Sequence, residues 1–541
     1  RVFTKELQQE LLQELIAQYH ERGYYFVQVD SHSVHLDLAE RKVALEYWIT
    51  PQRPLILRDV QLANIDSMPS ALQKELQERI KTFYDKPYTS EVSQALSEAV
   101  IRVMENHGYP LTRLNTESFH LTEGDKGGYS LHLSLELVPG DSVNIAYLQF
   151  PRRSQHLQAY LQRVLRFQPG QTYRQEQVER YLQILQRQEF IEKVQKPLLA
   201  KDKKGRYFLA LQFKEPPSTS LDGIIGYIPP PATATNEKGY FTGLINISIR
   251  NLFGGGRKFQ VFWQKQDQFS DEFRLNYREP FVLGLPFHTS FGLNRLVRDT
   301  TYIEWRYHLD MELPLTEALS AFVVFNRRSV TPDSLASRQL RLPLTTEFFT
   351  ETGIRWDRRD NPRNPRHGVH FEIGFSIGSQ KNKGPLYLLK EDSLPGSVSL
   401  RRLRSNLTVY LPTYKNQVLT NHLHLEMVDK NIPEIQQSDQ IWFGGATSVR
   451  GYRESQFFGE KVFWANSEYR FLLGPIARFF LFVDNAYFTR SFPEKLEKWL
   501  LSYGLGLRFS GPLGVVQVDF GLERGAPFQE GKLHFRLINE F

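Results

Sequence analysis

Ile303, Trp305, Tyr307, Leu309, Met311 and Leu313 alternate with Glu304, Arg306, His308, Asp310 and Glu312. A period of two marks a strand whose two faces meet different surroundings. The pattern returns at residues 369–377, 503–510 and 516–523, and sixteen segments of this kind lie between residues 219 and 541. In a water-soluble sandwich the apolar face is core and the polar face is wet. Here the polar face carries opposed charges and the apolar face is bulky. That suits a transmembrane barrel, apolar toward lipid and charged toward a hydrated lumen, and an even strand count fits closure.

Residues 1–218 follow another rhythm. Leu7, Leu11, Leu12, Leu15 and Ile16 form a helical stripe over residues 5–19, followed by strands at 24–30 and 42–49. A fuller unit has a strand at 55–62, helices at 71–83 and 90–106, and strands at 111–121 and 129–137. A third has a strand at 142–150, helices at 155–167 and 174–188, and strands at 190–199 and 206–213. Arg22-Gly23-Tyr24 and His107-Gly108-Tyr109 hold the same place in their copies, where glycine suits a left-handed helix cap. The order β-α-α-β-β, with a period of roughly 75–90 residues, is an internal repeat. The first copy lacks its opening strand and helix, so residues are expected upstream of Arg1.

Composition narrows the chemistry. The 541 residues include no cysteine, which excludes thiolate zinc sites, iron–sulfur ligation and Cys nucleophiles. No run of 18 apolar residues predicts a membrane helix. A net charge of +7 calls for no nucleic acid. Aromatics reach 13%, yet the mean hydropathy is −0.42. The fourteen histidines show no His-Glu-x-x-His spacing, and no Gly-x-Ser-x-Gly elbow occurs. His422 and His424 share a parity and are read as lumen-facing polar residues in preference to metal ligands. No catalytic residue, metal or cofactor is predicted.

The longest predicted connection, about residues 430–461, holds Gly444, Gly445 and the run Val449-Arg450-Gly451-Tyr452. Such a loop is either functional or misassigned. Folded inward, it can pair Arg450 with a lumen carboxylate. The thirteenth segment carries Phe482-Val483-Asp484-Asn485-Ala486, with Arg478, Phe482 and Asp484 on the inward parity; Glu468 is a second candidate carboxylate. Asn251-Leu252-Phe253-Gly254-Gly255-Gly256 and Tyr277-Arg278-Glu279-Pro280-Phe281 mark turns. Asp357, Arg359 and Asp360, with Pro365 and Gly368, read as a hairpin laced by salt bridges.

In this order the motifs resemble the BamA/TamA and two-partner-secretion transporter superfamily, and the α+β repeats resemble its POTRA domains. The resemblance implies α+β POTRA repeats followed by a 16-stranded antiparallel transmembrane β-barrel. Domains are expected at residues 1–52 (a partial POTRA), 53–140, 141–218 (barrel-proximal) and 219–541. It further implies that Arg450 docks on the thirteenth strand at a Phe-x-Asp-x-Gly motif, whose glycine is here Ala486. In the family the first and last strands meet in a weak seam. Here these are Ile224, Ile225, Gly226 and Tyr227, in a segment read as short, and Phe535, Leu537, Asn539 and Phe541. A terminal phenylalanine resembles the insertion signal of outer-membrane proteins.

The implied function is assembly or translocation of unfolded outer-membrane or secreted clients. POTRA domains in the periplasm would capture them and the seam in the outer-membrane bilayer would insert them. Three POTRA copies point to the TamA-like branch and a TamB-like inner-membrane-anchored partner. The alternatives are a two-partner-secretion export pore and, from another class, a soluble α+β/β-sandwich enzyme.

Overall fold

The computed structural model describes the chain except residues 1–2, 38–41, 125–127, 152–154, 189, 192, 216–218, 229–238, 266, 300, 391–393, 512–513 and 539–541. Two compact units are present. One comprises Arg1–Pro151, Leu165–Gln183 and Gln195–Gln212; the other Arg152–Val164, Ile184–Val194 and Phe213–Phe541.

In the first unit, helix Lys5–Glu21 precedes the hairpin Gln28–Asp37/Lys42–Thr50. The next copy is complete. Its sheet runs in the order Lys86–Pro87, Ile56–Ala63, Gly128–Val138, Arg113–Gly124, with the middle pair parallel. Helices Ser70–Lys81 and Ser90–Asn106 bury Leu72, Leu76, Ile80, Leu96, Val100 and Met104 in one core with Leu57, Leu131, Leu133, Leu135 and Leu137. The spacing of three to four residues places each helix's apolar positions on one face. Each buried leucine contributes about 1.5–3 kcal/mol relative to exposure.

The two Gly-Tyr pairs end their helices in the same way. Tyr24 N–H bonds to Tyr19 C=O and Gly23 N–H to His20 C=O; Tyr109 and Gly108 repeat this with Met104 and Glu105. Gly23 and Gly108 have φ of 90° and 95°. These are Schellman caps, which need the left-handed region. Each glycine carbonyl then accepts the N–H that opens the next copy: Leu55 to Gly23 and Val143 to Gly108, both at 2.8 Å. The Asn106 amide also receives Glu176 N–H at 3.0 Å, capping helix Gln175–Gln186 of the following copy.

Strands of the third copy are more broken than the sequence suggests. The segment read at 142–150 divides into Asn144–Ile145, paired with Gln171–Thr172, and Tyr147–Gln149, paired with Tyr207–Ala210. The segment at 190–199 becomes Lys193–Val194 and Leu198–Lys201. In each case the chain changes ladder partner midway, so continuous hydrophobicity does not yield a continuous strand.

The second unit contains the barrel. Sixteen strands, from Thr219–Ile228 to Lys532–Ile538, form one sheet in sequence order. Side-chain exposure follows the expected parity: Tyr307, Leu309, Met311 and Leu313 are exposed while Glu304 is buried. In soluble proteins that pattern would be inverted; here the apolar side chains form the outer, lipid-facing band. The first strand is not short. It pairs from Thr219↔Ile249 to Ile228↔Tyr240, because residues 219–221 extend the ladder upstream of Gly223. Among the described residues the shorter terminal strand is the last, with seven. Among the described residues no ladder joins the first strand to the last. The side chains of Ile224 and Leu537, and all of Asn539 and Phe541, lie outside the described residues.

Candidate functional site

Between the eleventh strand, Gln417–Lys430, and the twelfth, Lys461–Leu472, the chain turns into the barrel. This segment is not structureless. It contains a 3-10 turn at Gln437–Asp439 and a small hairpin, Ile441–Phe443/Phe457–Gly459. Phe443, Val449 and Tyr452 share a buried cluster with Val462, Trp464, Ala486, Phe488 and Leu500 of the wall. The Phe443 ring meets Phe488 edge-on at 5.1 Å. Ala486, which stands where the family motif has glycine, is fully buried in this cluster. Its methyl fills space against the loop instead of obstructing it.

The tip is fixed by charge. Arg450 donates Nε–H and Nη2–H to the two oxygens of Asp484 at 2.8 and 2.7 Å, and its backbone N–H to the same carboxylate at 3.0 Å. Nη1 reaches Glu468 at 2.7 Å, and the guanidinium lies 3.7 Å from the Phe482 ring centre. Asp484 is on the thirteenth strand, Arg478–Arg490, and Glu468 on the twelfth. Bidentate, charge-assisted pairs of this kind set both position and orientation. All three docking residues read from the sequence are thus brought onto Arg450.

Two glycines make the approach possible. Gly451 has φ 89°, and a Cβ there would stand 3.1 Å from the Leu522 backbone. Opposite it, a Cβ on Gly521 of the fifteenth strand, Gly514–Glu523, would meet Gly451 N at 2.5 Å. Gly444 and Gly445 also adopt positive φ, with Gly444 N–H donating to Ser448 Oγ at 2.7 Å. Gly451 N–H donates to His534 Nε2 on the last strand at 3.2 Å. Gly521 and His534 were not singled out from the sequence, although both occupy inward parity.

A second anchor at the loop's base was also missed. Lys430 Nζ contacts Glu347 at 3.0 Å and Asp439 at 2.8 Å. Arg328 bridges Asp439 at 2.9 Å, Glu304 at 2.8 Å and Glu347 at 3.3 Å. All five groups are buried. Two more cations join these three carboxylates: Arg402, 3.1 Å from Glu347, and Arg306, 2.9 Å from Glu304. Arg298 lies 4.3 Å from the Trp442 ring.

The remaining motifs are structural. Arg359 chelates Asp357 at 2.6 and 2.9 Å, while Asp360 accepts the backbone N–H groups of Arg366 and His367. Pro365 is buried, and Gly368 has φ 117° where a Cβ would strike Arg358 C=O. The Gly254–Gly256 turn is closed by Asn251 Oδ1 accepting from Gly256 N–H. His422 and His424 stack in the lumen; His422 Nε2 is 3.0 Å from an Arg470 N–H and His424 Nδ1 is 2.8 Å from Asn406. Among the described residues no group of three His, Asp or Glu side chains is arranged to hold a metal. Of the seam residues, Ile225, Tyr227 and Phe535 are exposed.

No curated protein matches the sequence. Among the solved structures that share the fold are these two. BamA from Haemophilus ducreyi lacking POTRA domains 1–3 aligns with a TM-score of 0.54 at 13% identity, covering 89% of this chain and 98% of its own. CdiB from Escherichia coli aligns with a TM-score of 0.51 at 12% identity, over 98% of this chain and 96% of its own. The Omp85 superfamily domain matches residues 251–541, more than half of the chain. With an inward loop docked by Arg450 on a sixteen-stranded wall, the chain belongs to the Omp85 superfamily.

Proposed function

We propose that this protein assembles or translocates client proteins at the bacterial outer membrane. α+β POTRA domains of about residues 1–52, 53–140 and 141–218 face the periplasm and capture extended segments. The first and last barrel strands form the seam where clients enter. One observation carries this reading. Strands Thr219–Ile228 and Lys532–Ile538 share no ladder among the described residues, and both present exposed apolar side chains. Unpaired strand edges are templates for another chain. No covalent chemistry is needed.

The test is a photo-crosslinker at Ile225 or Phe535, with Leu309 on the sixth strand as control, in cells expressing a stalled outer-membrane client. Capture at the terminal strands and not at Leu309 is expected. Equal capture at all three would dispose of the seam. Three POTRA copies support a TamA-like role with a TamB-like inner-membrane-anchored partner; co-purification with such a partner checks it.

A second reading, an export pore for a dedicated protein, fits the same fold, which CdiB shares over 98% of this chain. A pore requires the loop to leave the lumen. Its mark would be conductance in planar bilayers that rises when Arg450 is replaced.

A further inference from the structure

The charge inside the barrel is unevenly spent. A cavity of about 350 Å³ lies between the loop tip and the wall, bounded by Ala446, Thr447 and Ser448 of the loop. Arg359, Arg363, Arg470, Arg478, Arg508 and Arg536 join Arg450 around it, and among the described residues Glu468 is the one carboxylate of the lining. Arg359 is paired with Asp357, Arg470 with Glu468, and Arg450 with Glu468 and Asp484. Among the described residues Arg478 and Arg536 have no such partner. Arg478 is 5% exposed, gives one N–H to Asn364 Oδ1 at 3.2 Å, and its Nε–H has no acceptor. Arg536, half-buried on the last strand, also has an Nε–H without acceptor. Among the described residues neither lies within salt-bridge distance of a carboxylate. Asp519 acts on Arg536 only from beyond salt-bridge distance, its two oxygens accepting from the Gln517 amide.

Arginine stays protonated, and a buried cation without a counter-charge is costly unless something supplies one. Guanidinium forks match the oxygens of phosphate geometry, several donors to one group. The volume falls at the lower end of the range for small-ligand pockets, equal to roughly ten water molecules. We infer that this cavity is a binding site for a multiply charged phosphate group, gripped by Arg478 and Arg536 from the wall beside the Ser448–Arg450 tip. Such a group comes from two sources, a soluble phosphate or a lipid phosphomonoester headgroup. Their shared chemistry is what the site reads. Bound there, it would add a counter-ion between loop and wall. The inference does not depend on the proposed client function.

Purified full-length protein in neutral detergent, in phosphate-free buffer, is titrated calorimetrically with sodium pyrophosphate. Saturable binding of one equivalent is expected. Arg478→Gln and Arg536→Gln should each weaken it about tenfold or more, as loss of a charge-assisted contact does. Arg113→Gln, an exposed position in the α+β region, should leave it unchanged. Heat-modifiable gel mobility verifies that each variant is folded, and Arg478→Lys, which keeps the charge, should retain part of the affinity. Dihexanoyl phosphatidic acid distinguishes the sources. Its displacement of pyrophosphate assigns a lipid headgroup; failure to compete assigns a soluble phosphate. Absence of pyrophosphate binding to the wild type, or equal binding by folded Arg478→Gln and Arg536→Gln, overturns the site.

Discussion

Arg450→Ala is the most direct probe of the loop. It removes three side-chain hydrogen bonds, at 2.8, 2.7 and 2.7 Å, and the cation over Phe482. Asp484 is left buried and charged, with only the backbone N–H of residue 450. Glu468 keeps Arg470 at 2.7 Å. Breaking a buried pair by deleting one partner costs about 3–5 kcal/mol. Because Glu468 retains a cation, the low end applies, roughly 3 kcal/mol. At about 1.4 kcal/mol per decade, the tip should open on the order of a hundredfold more often. Hydrogen exchange of the amides at 444–452, in detergent, reads that opening directly. The strands around 461–490 should keep their protection. Arg450→Lys, which holds the charge without the fork, should fall between. Tip amides exchanging within about threefold of wild type would show that the apolar cluster alone holds the loop, and the ionic argument would fail.

At the other anchor, Asp439→Asn leaves Lys430 and Arg328 short of a counter-charge; protection of residues 435–443 should fall by about 3 kcal/mol while the tip is unaffected. Combined with Arg450→Ala it should be additive within about 0.5 kcal/mol, since the two clusters share no partner. Gly108→Ala forces a left-handed alanine whose Cβ would lie 2.7 Å from Thr172 Cγ2, so thermal unfolding of the α+β region should show a loss of about 1–2 kcal/mol or more. Burial, with the Glu179 charge adding to it, holds the Glu105 carboxyl above its usual 4.5 against the pull of Arg102. A carboxyl raised in the folded state opposes folding once ionised, so Glu105→Gln should stabilise at pH 7.5. The advantage should vanish below about pH 4.5, where both forms are neutral. An equal gain at both pH values would show that charge is not the cause.

The barrel was legible because each strand announces itself over its own length. Parity at residues 302–313 needed no knowledge of neighbours, and the same parity put Asp484 and Phe482 on the inward face toward Arg450. The base anchor was not legible in this way. Arg328 and Asp439 are 111 residues apart, and each is one of many inward charges. Only the curl of the sheet selects which cation meets which carboxylate. In the sequence alone, Gly223 and Gly226 make the first strand look short. Its length is set by the partner strand Tyr240–Leu252, whose ten ladder positions extend through both glycines. In the third α+β copy, changes of ladder partner cut strands that hydropathy read as whole. Gly521 gave a signal, a missing side chain on an inward position, which became meaningful only with Gly451 set against it.

The loop tip's hydrogen bonds are divided unequally between two parts of the barrel. Arg450 commits four of them to the twelfth and thirteenth strands, whereas Gly451 gives one, at 3.2 Å, to His534 on the last strand. If the last strand swings outward, the cost at the tip is that single weak bond, about 1 kcal/mol, and the loop stays on its wall. The tip is therefore bolted to the strands around Asp484, and its tie to Lys532–Ile538 is light. In mechanical terms His534 is a light detent, one hydrogen bond that the last strand can lose while the loop keeps its anchors.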